Sequence, residues 1–80
     1  MKGNTLEQRV MAQLGDDVVL PSATKSELTF CSKKLAQVTT IEEFSEVLAK
    51  YSLLDNKLKR AAGLSTTDFK RIIDSMKKEL

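Results

Sequence analysis

The apolar residues in the C-terminal third of the chain recur at helical spacing on both sides of a glycine. Leu58 and Ala62 precede Gly63, and Phe69 and Ile72 follow it. Glycine readily adopts the left-handed conformation that ends a helix, so Gly63 marks a break between two helices. The whole chain of 80 residues contains only three glycines and one proline. This composition favours an all-α fold over a turn-rich β fold or a disordered chain.

Capping residues and apolar periodicity predict five helices, at about 5–14, 25–37, 41–51, 53–62 and 66–79. Each predicted helix begins with a hydroxyl or amide residue three positions before an acidic one. The pairs are Asn4 with Glu7, Thr24 with Glu27, Thr40 with Glu43 (or Thr39 with Glu42), Ser52 with Asp55, and Ser65 with Asp68.

The apolar spacing also predicts which side chains are buried. In the third helix the buried stripe is expected to comprise Ile41, Phe44, Val47, Leu48 and Tyr51. Cys31 lies on the apolar face of the second helix and is expected to be a small core residue rather than a reactive thiol. Phe30 falls outside that face, so we expect either a second-face core contact or an exposed anchor for a partner.

The stretch 16–21 contains the apolar run Val18-Val19-Leu20. The run is too short to distinguish a strand from a loop by itself. Because no partner strand is predicted elsewhere, we expect a loop. The chain is therefore predicted to form one helical domain over 1–80, a compact bundle of four or five short helices.

Basic and acidic residues are distributed unevenly, although the net charge is only +2. Residues 41–52 carry three glutamates against one lysine, a net charge of −2. Residues 53–80 carry seven basic residues against four acidic ones, a net charge of +3. The basic excess therefore lies on the last two predicted helices, whereas composition alone implies no nucleic-acid partner.

Several classes of function find no support in the residues. The chain has no histidine, and its carboxylates lie mostly at predicted helix starts, so we expect no enzyme, no metal site and no cofactor. A single cysteine allows no internal disulfide and favours a reducing, cytoplasmic setting. No apolar stretch approaches the roughly 20 residues of a membrane span, and the N-terminus lacks the apolar run of a signal peptide.

Residues 55–74 resemble the helix-turn-helix class of DNA-binding regulators. Gly63 ends the first helix, Leu64 is placed to tuck beneath both helices, and Ser65 starts the second helix. The helix at 41–51 would complete a three-helix unit, so the C-terminal three helices are expected to be helix-turn-helix-like. One position departs from the class, because Lys59 stands where a small residue is usual and would have to extend outward.

The resemblance implies that the second helix of the motif lies in the major groove while the first contacts phosphates. The DNA-binding residues that it implies are Lys57, Lys59, Arg60, Ser65, Thr66, Thr67, Lys70 and Arg71. A monomer of this size offers few contacts, so a homodimer on paired half-sites would be expected. Asp74 shares the exposed face of the second helix and would repel phosphate there.

Two other interpretations remain open. On the first, the basic residues form only a solvated face with helical ion pairs such as Asp55–Lys59. The chain also resembles, in its five short helices with a long last one, the sterile alpha motif arrangement. That resemblance implies a protein–protein interaction module, an adaptor or an inhibitor of a larger assembly, without catalytic activity. Self-association of an acidic third helix with a basic fifth helix would be one form of it.

Overall fold

The computed structural model describes residues 5–15 and 17–80, and five α-helices follow one another along them. The helices are α1 (Leu6–Leu14), α2 (Ser22–Gln37), α3 (Ile41–Lys50), α4 (Leu54–Ala62) and α5 (Thr66–Lys78). No strand occurs in these residues, so the predicted all-α bundle is confirmed. Residues 17–21 form an irregular connection with Leu20 buried, as expected for a loop, while Asp16 lies outside the described residues.

The helices pack around a single core. The longest helix, α2, packs against α1, α3 and α4, and α5 packs against α1 and α4. The described chain measures 32 × 22 × 20 Å. The largest fully buried side chains come from the first four helices and are Leu6, Val10, Leu28, Cys31, Phe44, Leu54 and Leu58. Leu64 and Ile73 extend this core beneath α5.

The start of α1 is fixed by two hydroxyl residues. Thr5 is the N-cap: its hydroxyl accepts from the Gln8 amide, and the Gln8 side chain accepts from the Thr5 amide at 2.9 Å. Asn4, which was predicted to cap this helix together with Glu7, lies outside the described residues. The Glu7 amide instead donates to the buried hydroxyl of Ser32 on α2, 3.1 Å away. This bond satisfies a free amide of the first turn and ties α1 to α2.

The predicted caps of α2 and α4 are wrong, and α2 also begins earlier than predicted. α2 begins at Ser22, directly after Pro21, whose carbonyl accepts the Lys25 amide at 2.9 Å. Thr24 therefore lies within the helix and is buried rather than capping it. α4 begins after Leu53, which is itself in the right-handed helical conformation and makes no side-chain cap. Residues 51–53 form a turn, and Leu53 rather than Ser52 is the residue that precedes the helix.

The predicted caps of α3 and α5 are confirmed. The hydroxyls of Thr40 and Ser65 accept the amides of Glu43 and Asp68, at 3.1 and 3.0 Å respectively. One burial prediction is wrong. Ile41, the first residue of α3, is 47% exposed, and its neighbours from Thr39 to Glu43 are also on the surface.

The relative lengths of the helices differ from the pattern expected of a sterile alpha motif. α2 has 16 residues and α5 has 13, so the last helix is not the longest. None of the helices in the described part of the chain is both long and apolar enough to cross a bilayer.

Candidate nucleic-acid interface

The connection between α4 and α5 is a three-residue turn. Gly63 ends α4 with φ +76°, and its amide donates to the Lys59 carbonyl at 2.9 Å. Leu64 is buried beneath the turn, and Ser65 caps α5. A residue with positive φ followed by an apolar contact and a cap allows a helix to restart within three residues. The turn is therefore built as its sequence predicts.

The side chains expected to face DNA from α5 project into solvent. Thr66, Thr67, Lys70 and Arg71 are all exposed, and they occupy the first two turns of the helix. Arg71 lies 3.9 Å from the carboxylate of Asp68, a loose pair on an exposed surface. Such pairs contribute little to stability, so the guanidinium remains available to a partner. Asp74 is exposed on a later turn of the same helix.

The basic residues of α4 divide into two groups. Lys59 and Arg60 are exposed, and neither has an ion pair among the described residues. Lys59 extends outward, as its position in the motif requires. Lys57 instead forms an ion pair with Glu27 of α2, with 2.8 Å between Nζ and the carboxylate oxygen. Its charge is already partly balanced within the protein.

An open groove of about 350 Å³ lies between the end of α3 and the start of α5. Its floor is apolar, formed by Leu48, Phe69 and Ile73. Its polar lining combines Thr66, Thr67 and Lys70 with three residues not predicted as site residues, Tyr51, Ser52 and Asp55. The sequence placed Tyr51 in a buried stripe and the other two in a cap, and only the conformation of the 51–53 turn brings them to this groove.

Arg71 faces a different part of the surface. It borders a second groove, of about 330 Å³, together with Arg9 and Gln13 of α1. Lys70 and Arg71, about 100° apart around α5, therefore border different grooves.

Contacts along α3 and α5 show that the two helices run in opposite directions. Lys77, near the end of α5, places its Nζ 6.0 Å from the ring centre of Phe44, near the start of α3. At the opposite end, Tyr51 shares the groove with Thr66. Glu42 and Glu43 therefore lie near the C-terminal end of α5. Thr66 and Lys77 are eleven residues apart, or about 16 Å along a helix.

The described residues hold no group of three or more histidine, cysteine or acidic side chains placed to bind a metal ion. The surface of α4 and α5 offers ammonium, guanidinium and hydroxyl groups, which bind phosphates and base edges. Comparison of the chain with known protein families, with curated proteins and with solved structures finds no match.

Proposed function

We propose that this protein is a small DNA-binding regulator that places the start of α5 in the major groove of a duplex. The observation that carries the proposal is the exposure of Thr66, Thr67, Lys70 and Arg71 on the first two turns of a helix that follows a tight turn. Recognition helices of the helix-turn-helix class contact base edges with their N-terminal residues. The role is one of binding, without catalysis, in a cytoplasmic setting.

The contacts to the DNA backbone are assigned mainly to α4. Lys59 and Arg60 are exposed in its last turn and have no ion pair within the described chain. Neutralising a phosphate by such a side chain releases counterions and makes binding salt-dependent. Lys57 is expected to contribute less, because binding a phosphate would compete with its pair to Glu27. Ser65 has its oxygen occupied by the cap, but its hydroxyl hydrogen remains able to donate.

Glu42 and Glu43 of α3 are not expected to prevent this binding. They lie near the C-terminal end of α5, which is roughly 16 Å from Thr66 along the helix. The Debye length is about 8–10 Å at physiological salt, so their repulsion of phosphates at the opposite end is largely screened. Asp74 is nearer, and it is expected to limit contact to the first two turns of α5.

The test compares two lysines of the same helix. Fluorescence anisotropy with a random duplex is measured from about 50 to 200 mM salt for the wild type, Lys70→Ala and Lys78→Ala. We expect Lys70→Ala to weaken binding and to lower the salt slope by about one unit, because one charge that neutralises a phosphate is lost. Lys78→Ala removes the same charge from the other end of α5 and is expected to retain wild-type binding.

Equal losses in the two variants would contradict the assignment to the start of α5. No binding of the wild type at about 50 mM salt would contradict DNA binding altogether. The second candidate function, a protein–protein interaction module, would then stand. It is favoured by large apolar side chains on the surface, since Val19 is 87% exposed and Leu53 is 61% exposed. Exposed apolar side chains that group into a patch mark interaction surfaces.

A further inference from the structure

The outer face of α2 carries an exposed aromatic ring beside two free lysines. Phe30 is 59% exposed, and Lys33 and Lys34 follow it by three and four residues. Residues at these spacings are neighbours on a helix surface. Neither lysine has an ion pair among the described residues. We call Phe30, Lys33 and Lys34 the basic strip.

The outer face of α3 carries the opposite charge, and the first residue of this helix has an exposed aliphatic side chain. Ile41, Glu42 and Glu46 are exposed, and the two glutamates are four residues apart on one side of the helix. In the described chain neither has an ion pair, whereas Glu43 accepts hydrogen bonds from Thr39 and Thr40. We call Ile41, Glu42 and Glu46 the acidic strip.

We propose that the basic strip of one copy docks on the acidic strip of a second copy. Each strip combines one exposed apolar anchor with two free charges, and the charges of the two strips are opposite. Apolar contact supplies affinity, and the paired charges fix the orientation of the partners. α2 packs against α3, so the two strips lie on neighbouring elements. Surfaces of this kind can contact each other reciprocally about a two-fold axis.

Lys70 and Arg71 of α5 are assigned to DNA, whereas Lys33 and Lys34 of α2 have no role in that proposal. The self-association uses none of the residues assigned to DNA, and it goes beyond the proposed function. It would join two α5 helices in one assembly.

Charge reversal tests the docking directly. The first variant, Lys33→Glu with Lys34→Glu, is acidic on both strips, and the second, Glu42→Lys with Glu46→Lys, is basic on both. We expect the wild type to associate in sedimentation velocity at low salt. Each variant alone is expected to associate at least about tenfold more weakly, because like charges now face each other. An equimolar mixture of the two variants is expected to associate again, since opposite strips meet in the mixed pair.

The control is Lys59→Glu with Arg60→Glu, which reverses two exposed charges on α4 and is expected to associate as the wild type does. Circular dichroism checks that each variant is folded. If a reversed variant loses its helical signal, Phe30→Ser replaces it, with association expected to weaken at unchanged net charge. A monomeric wild type, variants that associate as the wild type does, or a mixture that remains monomeric would each overturn the proposal. None of these outcomes depends on DNA binding.

Discussion

The surroundings of Cys31 determine the pKa and the reactivity of its thiol. Its side chain has no exposed surface and lies in the core beneath α2. Burial, with a smaller effect from the negative charge of Glu27, raises the pKa of the Cys31 thiol to about 11. A thiol of this kind is inert, because the reactive species is the thiolate. The prediction from sequence that Cys31 is a small core residue is confirmed.

Stability at alkaline pH is expected to depend on Cys31. In the unfolded chain the thiol ionises near its ordinary pKa of 9.0, whereas in the folded protein it keeps its proton to about 11. Between these values the unfolded state binds fewer protons, so the free energy of unfolding falls as pH rises. Relative to Cys31→Ala, we expect the wild type to lose about 1–2 kcal/mol between pH 8 and about 10.5.

Urea denaturation of both proteins at the two pH values measures this difference. The Cys31→Ala variant is the control, because it shares every other titrating group with the wild type. Parallel loss of stability in the two proteins would show that the thiol titrates normally in the fold. The native wild type is also expected to resist thiol reagents until it is unfolded.

The helices differ in the groups that cap their ends. α3 and α5 begin with hydroxyl caps, and the carboxylate of Glu43 also accepts from the amide and hydroxyl of Thr39, both at 3.1 Å. These hydrogen bonds to the charged form lower the pKa of Glu43. α4 has no side-chain cap at its start, and its other end depends on Gly63. The junction between α4 and α5 therefore depends on the left-handed conformation of Gly63.

Gly63→Ala is expected to destabilise the protein by about 1 kcal/mol, because a β-carbon disfavours the left-handed conformation. The cost is confined to the backbone, since a β-carbon at this position would meet no atom within 4 Å. Gly63→Asn is the matched control and should cost less, because asparagine tolerates that conformation. Chemical denaturation of the three proteins tests the order, and a Gly63→Ala variant as stable as the wild type would show that the turn relaxes freely.

At the scale of the molecule, α1 and α5 are held together by a contact between distant residues. The guanidinium of Arg9 donates to both carboxylate oxygens of Glu79, at 2.7 and 2.8 Å, and to the hydroxyl of Ser75 at 3.3 Å. Arg9 is mostly buried, whereas Glu79 is about one-third exposed. Both bonds to Glu79 come from one guanidinium nitrogen, and the other nitrogen donates to Ser75. Because these bonds are charge-assisted and Arg9 is mostly buried, the pair is expected to be stronger than an ordinary surface ion pair.

Glu79→Gln is expected to lower the free energy of unfolding by roughly 0.5–1 kcal/mol, the upper part of the range for exposed pairs. The difference from the wild type should shrink near 1 M salt, where the charges are screened. Asp74→Asn, on the exposed face of the same helix, is the control and should leave stability nearly unchanged. Thermal unfolding at low and high salt measures both effects, and a loss independent of salt would assign the role of Glu79 to packing.

The sequence by itself determined which segments are helical and where most of the helices begin and end. Helical periodicity, the caps at Thr40 and Ser65, and the break at Gly63 are encoded within a few residues of where they act. Such local signals also predicted the exposed polar face at the start of α5. They misplaced the start of α2 and assigned caps to Thr24 and Ser52, although neither α2 nor α4 begins with a capping side chain.

Only the tertiary structure decided which residues meet across the chain. The pairs Arg9–Glu79 and Lys57–Glu27, the bond from the Glu7 amide to Ser32, and the groove that joins Tyr51 to Thr66 each bring together residues that are distant in sequence. The exposure of Ile41 likewise depends on whether the packing of other helices covers the start of α3. Periodicity indicates which face of a helix is apolar, whereas the packing of the other helices determines how much of that face is covered.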